Sequence, residues 1–269
     1  MQILALTLPT PAENLAADEA LLNWCEENSG TGFQPVQMTR GQAGSTVPLF
    51  GGEEILRFWE PRQTFVVVGY ANKVATEVNI AACAAKKIPI FRRCSGGGTV
   101  VQMPGGLNYS LILRITDTGP TRSISSANKF IMEKNRAAIE TLLPEFKINK
   151  SKLKISVRGH TDLCLGELKF AGNSQRRRKH FLLFHGTLLL NCDLALVGEL
   201  LPMPSLQPDY RASRSHEEFV TNLNLAAEKV KAALAKEWKA IEEFKNPPIE
   251  EISKLAREKY ATREWNFKF

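Results

Sequence analysis

Apolar positions along the chain follow two periods, and the switches between them outline the elements. Leu15, Ala16, Ala20, Leu21 and Leu22 fall on one face of a helix over Asn14–Glu26, with Asn14 as its N-cap. Glu27–Glu54 is rich in Gly, Ser, Thr and Pro, has no period, and reads as a long surface loop or insertion. Ile55–Pro61 and Thr64–Tyr70 read as two buried strands joined by a turn at Pro61-Arg62. Asn79–Lys87 reads as a short Ala-rich helix. Strand Ile88–Arg92 then runs into a glycine turn, strand Thr99–Gln102, a second glycine turn and strand Leu107–Ile115.

Ser123–Leu143 is strongly amphipathic, with Ile131, Ile139 and Leu142 among its apolar positions. Lys154–Val157, Thr161–Leu165, Glu167–Gly172 and Phe181–Asn191 read as strands. Glu217–Ile241 reads as one long helix and Ile249–Tyr260 as a last one, after the break at Pro247-Pro248. Strands and helices mix without regular βαβ alternation. The expected class is α+β, a mixed or antiparallel sheet core flanked by helices, in a single domain over 1–269.

At 269 residues, folding buries roughly three-quarters of the chain's surface, so no covalent staples are required. With 43% hydrophobic and 23% charged residues, wholesale disorder is excluded. No apolar run reaches membrane-spanning length, and the acidic start MQILALTLPTPAENLAADEA is not a secretory signal. The five cysteines are scattered without a C-x-x-C pair, and the four histidines have no metal-ligand spacing. A reducing cytoplasm fits, and no protein-only metal site is expected. The net charge of +7 suits an anionic ligand or an acidic partner.

Three segments carry candidate chemistry. In Arg92-Arg93-Cys94-Ser95-Gly96-Gly97-Gly98-Thr99 a strand delivers two guanidinium groups, and three glycines remove every Cβ from the turn that follows. The backbone amides of such a turn can cradle an anion, and Arg93 can bind a carboxylate or phosphate bidentately. The alternative is a glycine-rich hairpin with two surface arginines. In Leu168–Ser174, Lys169 stands between Leu168 and Phe170, where a lysine can be desolvated and aimed at an anion or can guard a strand edge. His185-Gly186-Thr187 interrupts an apolar strand: either a satisfied core histidine or one with room for a ligand beside it. Together the three suit an acyl-adenylate site, whose task is to neutralise charge and hold geometry. The run Arg176-Arg177-Arg178-Lys179 reads as a solvated loop or as a basic rim for an acidic partner. No aromatic interleaving or recognisable module points to nucleic acid.

These motifs, in this order, resemble the lipoate–protein ligase and octanoyltransferase family, which is related to biotin ligases. Asn14–Glu19 resembles its N-terminal helix, Trp59 with Val66–Gly69 its strand pair, and Arg92–Thr99 its R-R-x-S-G-G-G motif. Gly106–Ser110, Asp162-Leu163, Lys169–Gln175 and His185–Leu190 resemble the later ones. The resemblance implies that Lys169 contacts the activated carboxyl group and α-phosphate of lipoyl-AMP. Trp59, Arg92, Arg93, Ser95, Gly96, Gly97, Gly98, Thr99, Asn108, Asp162, Gly172, Asn173, His185, Gly186 and Thr187 would line substrate and adenylate, with Asp162 a candidate for indirect Mg2+ contact. It further implies ATP, Mg2+ and lipoate, and a lipoyl-acceptor domain whose lysine attacks the mixed anhydride.

Three departures bear on activity. Gln102-Met103 stand where the family usually has His-Asp. No cysteine occupies either place from which octanoyltransferases form a thioester: one place holds Pro202, Met203, Pro204 and Ser205, the other Ser151–His160. Cys94 and Cys164 read as small buried residues, the alternative being that Cys164 is a displaced nucleophile. The E-W-N-F sequence at Glu264–Phe267 resembles the end of the ligase catalytic domain, so no C-terminal accessory domain is expected and a separate accessory subunit could supply it. The expected function is ATP-dependent lipoylation of an acceptor lysine. The alternatives are octanoyl or lipoyl transfer from a carrier protein, and a non-catalytic homologue that binds lipoate or acceptor.

Overall fold

The computed structural model describes residues 1–30, 54–143 and 154–269, so the expected loop over 27–54 lies largely outside the described residues. Strand β1 (Gln2–Ala5) leads into helix α1 (Pro11–Glu27), followed by β2 (Ile55–Trp59), β3 (Phe65–Val68), α2 (Val74–Glu77), α3 (Ile80–Ala85), β4 (Ile90–Arg92), β5 (Val100–Gln102) and β6 (Gly106–Arg114). Helix α4 (Ile124–Glu140) precedes an antiparallel run of β7 (Ile155–Arg158), β8 (Asp162–Leu165), β9 (Leu168–Arg177) and β10 (Phe181–Leu189). Then come α5 (Ala195–Leu200), α6 (His216–Phe219), α7 (Ala227–Trp238), β11 (Glu242–Glu243), α8 (Ile249–Leu255), a π-helical turn at Ala256–Tyr260 and α9 (Arg263–Asn266).

The strands form an eight-stranded sheet, β11-β1-β2-β6-β10-β9-β8-β7, and a three-stranded sheet, β4-β3-β5. β1 pairs in parallel with β2 and β11, and every other ladder of the large sheet is antiparallel, so it is mixed as expected. β2 and β3 do not pair with each other: the Pro61-Arg62 turn carries the chain from one sheet to the other.

The pleat sorts side chains onto two faces. Leu56, Phe58, Leu107, Tyr109, Leu111, Leu182 and Phe184 pack with α4 and α7. Ile55, Trp59, Ile112, Phe181 and Leu183 pack on the opposite face with α1 and α8, and Phe65 and Val67 of the small sheet join them. Val66, Val68 and Val101 form a third cluster with α3 and α5 residues. The turn between β4 and β5 therefore lies where the small sheet meets the α1 face of the large one.

Three expectations need correction. The first helix is capped by Thr10 in a capping box with Glu13, not by Asn14, whose side chain is buried against the Leu8 and Thr10 carbonyls. The region 217–241 is two helices, α6 and α7. Between them the backbone amides of Thr221, Leu223 and Asn224 donate to the carbonyls of Lys169, Leu189 and Leu190, which a continuing helix could not do. The basic run starts inside β9. The Arg176, Arg177 and Arg178 guanidiniums donate to the Cys94 carbonyl, the Thr121 and Arg122 carbonyls, and Asn23 Oδ1.

Candidate active site

On the α1 face of the large sheet, the apolar rows give way to two polar rows. In the first, Arg57, Ser110, His185 and Ser174 stand opposite one another across four strands. Two residues further along each strand, roughly 7 Å, Trp59, Asn108, Thr187, Gly172 and Asp162 form the second. The motifs found in sequence thus meet because antiparallel register aligns them.

Asp18 of α1 anchors the first row. Its Oδ1 accepts from Arg57 Nη1 and Ser110 Oγ, each at 2.7 Å, and its Oδ2 lies 2.7 Å from His185 Nδ1. Burial opposes the charge, but the His185 hydrogen bond, the Arg57 guanidinium and Ser110 hold the carboxyl below its ordinary range. Asp18 is therefore ionised and takes the imidazole proton on Nδ1, which aims Nε2 away from the carboxylate. Ser95 Oγ is 2.6 Å from Nε2. Ser95, His185 and Asp18 follow the order of a hydrolytic triad. However, Ser95 is only 1% exposed and also accepts from Arg93 Nε, so its hydroxyl ties the loop down instead of facing a substrate.

The glycine turn wraps around Arg93. Arg93 Nε and Nη2 donate to the Gly96 carbonyl, and Nη2 to the Gly98 carbonyl at 2.7 Å. Burial pulls this guanidinium down to about 10. Gly97 has φ +82°, and a Cβ on Gly69 would stand 2.0 Å from the Gly97 carbonyl oxygen, so both positions require glycine. With the carbonyls turned in, the exposed amides of Gly96, Gly97 and Gly98 have no acceptor among the described residues.

Lys169 reaches this region through a β-bulge. Leu163 pairs with Ala171 but Cys164 with Lys169, so Phe170 is the extra residue. Phe170 and Ala171 both enter the core against α4, and Lys169 emerges on the same face as Gly172 and Ser174. Its ammonium lies 2.8 Å from Asp162 Oδ1, while Asp162 Oδ2 accepts from Tyr210 at 2.7 Å. Ser174 Oγ donates to the Gly96 carbonyl at 2.8 Å. The Lys169 ammonium, over Gly172, is thus one pleat repeat from the glycine turn.

Two expected site residues, Arg92 and Asn173, are committed elsewhere. Arg92 commits all its donors to the carbonyls of Gly69, Tyr70, Asn72, Trp265 and Asn266, clamping the chain's last helix to β4. Asn173 points to the opposite face, where it accepts from Tyr109, and Gly186 is glycine because a Cβ there would meet Asn173 Oδ1 at 1.7 Å. Thr99 Oγ1 accepts from Asn72 at 3.4 Å. Gln102, Asn108 and Thr187 form a closed hydrogen-bonded ring, so the residue replacing the family histidine is held by its neighbours. Trp59 is buried and its indole N–H has no hydrogen-bond partner among the described residues. Asp18, Arg57, Ser174 and Tyr210 were not singled out from sequence. The available signal for Asp18 was a charge inside an otherwise apolar helical segment.

Cys94 and Cys164 are buried, and burial pushes the Cys94 thiol up to about 11 and the Cys164 thiol upward as well. Among the described residues no cluster of three or more His, Cys, Asp or Glu could hold a metal ion, and no helix is long and apolar enough to cross a membrane.

A mixed sheet presenting a glycine turn and an ammonium on one face has the donors of an anion-binding site. Residues 10–239 match the model of the lipoyl protein ligase A/B catalytic domain, and the chain belongs to that family of ligases and octanoyltransferases. It is 28% identical to lipoate–protein ligase A subunit 1 of Thermoplasma acidophilum, over 81% of this chain and 86% of that one. It is 26% identical to octanoyltransferase LipM of Halalkalibacterium halodurans, over 96% and 95% of the two chains. A crystal structure of lipoate–protein ligase A bound with ATP superposes with a TM-score of 0.72 at 25% identity, covering 99% of this chain and 98% of that one.

Proposed function

We propose that this chain is the catalytic unit, over its whole length, of a lipoate–protein ligase. It would activate lipoate with ATP to lipoyl-AMP and pass the lipoyl group to an acceptor lysine. The observation that carries the reading is the Lys169 ammonium laid across Gly172, one pleat repeat from three glycine amides that have no acceptor among the described residues.

In this reading the amides and Lys169 hold the phosphate and carboxyl oxygens that gain charge as the lipoate carboxylate attacks the α-phosphate and pyrophosphate leaves. Lys169 exchanges Asp162 for the adenylate. Trp59 offers its indole N–H, while Asn108 and Thr187 shape the floor between Trp59 and Gly172. Asp162 is the acidic group placed to meet the Mg2+ that accompanies ATP, since one carboxylate plus phosphate oxygens suits that ion. The acceptor amine then attacks the lipoyl carbonyl, its C–N bond forms, the C–O bond to AMP breaks, and the amine's proton leaves to solvent. Reduced cysteines and the use of ATP suit the cytoplasm. A relative named as one subunit of a ligase supports a separate accessory subunit for the activation step.

Carrier-protein transfer is the second reading, favoured by the near full-length match to an octanoyltransferase. Against it stands the burial of Cys94 and Cys164, which leaves no ready thiolate.

The test is the intact mass of a lipoyl-acceptor domain incubated with the protein, lipoate and MgATP, and separately with lipoyl-AMP. Gain of one lipoyl group in both mixtures establishes a self-sufficient ligase. Gain only from lipoyl-AMP establishes a ligase that needs its accessory subunit for activation. No gain in either sinks the proposal, and octanoyl carrier protein then tests the second reading.

A further inference from the structure

The glycine turn is tied to a part of the molecule that no ligand reaches. Arg57 and Asp18 are 0% and 2% exposed, and their ion pair sits under α1. Arg57 is further held by the carbonyls of Leu6 and Asn14 and by Asn14 Oδ1, so this end of the chain of contacts is fixed by four acceptors. From Asp18 the contacts run outward without a gap. Oδ2 meets His185 Nδ1 at 2.7 Å, His185 Nε2 meets Ser95 Oγ at 2.6 Å, and Ser95 Oγ accepts from Arg93 Nε at 3.1 Å. Arg93 in turn holds the Gly96 and Gly98 carbonyls.

Each link fixes the next by donor–acceptor parity. The ionised Asp18 accepts only, so His185 Nδ1 donates to it. The Ser95 oxygen accepts from Arg93 Nε, so the Ser95 hydroxyl hydrogen is the donor left to point to His185 Nε2. The other N–H groups of Arg93 reach the two glycine carbonyls. Each carbonyl shares its peptide with the N–H of the next residue, so turning the Gly96 and Gly98 carbonyls inward turns the Gly97 and Thr99 amides outward, while the Ser95 carbonyl, which accepts from the Tyr70 amide, fixes the peptide of Gly96. Without this chain, three consecutive glycines would have the freest backbone available to any tripeptide and no fixed amide direction.

We propose that Asp18 is a positioning residue that sets the direction of the Gly97 and Thr99 amides, and with them the Gly96–Gly98 turn, through His185, Ser95 and Arg93. The ligand so served is an anionic oxygen of an acyl phosphate or carboxylate, and this part rests on the ligase reading above. His185 and Ser95 act inside the chain and touch no reacting atom. Their presence in an apolar strand and a glycine turn is thereby explained without a nucleophilic role.

The test uses Asp18→Asn, Ser95→Ala and the double variant. In ligand-free protein, NMR follows the amide signals of Gly96, Gly97 and Gly98 and the low-field Nδ1 proton of His185. Calorimetry follows the binding of lipoyl-AMP. Asp18→Asn is expected to abolish the low-field signal and shift all three glycine amides. Each single variant should weaken lipoyl-AMP binding at least tenfold, and the double variant no more than the weaker single one, because both cut the same chain. Unchanged glycine amides in Asp18→Asn, or losses that add in the double variant, overturn the proposal. Should Asp18→Asn not fold, Ser95→Ala carries the test alone: unchanged glycine amides in it overturn the proposal equally. A wild-type protein that binds no lipoyl-AMP removes the ligase reading, while the glycine amides still decide whether Asp18 positions the turn.

Discussion

Lys169 crosses Gly172: its Cε and Nζ lie 2.9 Å from where a Cβ on Gly172 would stand. The glycine is there to let the lysine fold back along its own strand toward Asp162. Gly172 has no left-handed φ, so alanine costs no backbone strain and is absorbed by moving the end of a flexible side chain. Gly172→Ala should leave the melting temperature nearly unchanged and lower kcat/KM for transfer from lipoyl-AMP by at least about tenfold, about 1.4 kcal/mol. Gly186→Ala makes the contrast. Its Cβ would strike Asn173 Oδ1 at 1.7 Å and the Gly172 carbonyl at 2.8 Å, in a buried network with Tyr109. It should destabilise the fold by about 3 kcal/mol or more, read by urea denaturation.

Lys169→Ala removes the ammonium itself. The Lys169–Asp162 pair is partly solvated, with the two side chains 26% and 14% exposed, so the stability change should stay within about 1 kcal/mol. Transfer from lipoyl-AMP to the acceptor domain should fall by about three orders of magnitude, as when a preorganised charge is lost from a polar transition state. A variant with wild-type turnover removes Lys169 from the mechanism.

The order of the motifs made the family resemblance legible, and the register explains why: residues far apart in sequence stand opposite one another on β2, β6, β10 and β9. What simple alternation hid was direction. A strict period of two puts Lys169 on the Asn173 face, inside the core, and only the extra residue at Phe170 turns it to the Gly172 face. Asp18 was hidden for a different reason. A carboxylate on a helix reads as solvated until a buried arginine from another strand is known to meet it, and Arg57 lies inside the apolar run Ile55–Trp59. The break between α6 and α7 was hidden because no proline or glycine interrupts Glu217–Ile241, whereas the carbonyls of Lys169, Leu189 and Leu190 capture the amides of Thr221, Leu223 and Asn224.

Asp18 also gives the fold an acid limb. Its pKa is lowered on folding, so relative to an unfolded value of about 3.9 its charge stabilises the protein above that pH. The contribution is lost as pH falls through the folded value. Glu19, held low against its burial by Lys259 and Tyr260, acts in the same direction. Urea midpoints measured from pH 7 down to pH 2.5 should fall below about pH 4 in the wild type. Asp18→Asn should be less stable at pH 7 by about 3–5 kcal/mol, the cost of breaking a buried pair, and should lose less on acidification. Parallel acid limbs in the two proteins would show that Asp18 is not the group responsible.

Cys164 supplies the sharpest separation of the two chemistries. It is fully buried on β8, its thiol donates to Tyr210 at 3.6 Å, and burial raises its pKa. A thiol so placed is a poor nucleophile at neutral pH. Cys164→Ser should therefore retain transfer from lipoyl-AMP to within about twofold, since a hydroxyl replaces the thiol as Tyr210's neighbour and the stability change is at most about 1–2 kcal/mol. Incubation of the wild type with octanoyl carrier protein should leave its mass unchanged. A gain of one octanoyl group, absent in Cys164→Ser, would mean that β8 opens to admit the carrier's thioester. The thiolate would then attack the octanoyl carbonyl and release the carrier thiol, and the ligase reading would give way to a transferase with a displaced cysteine.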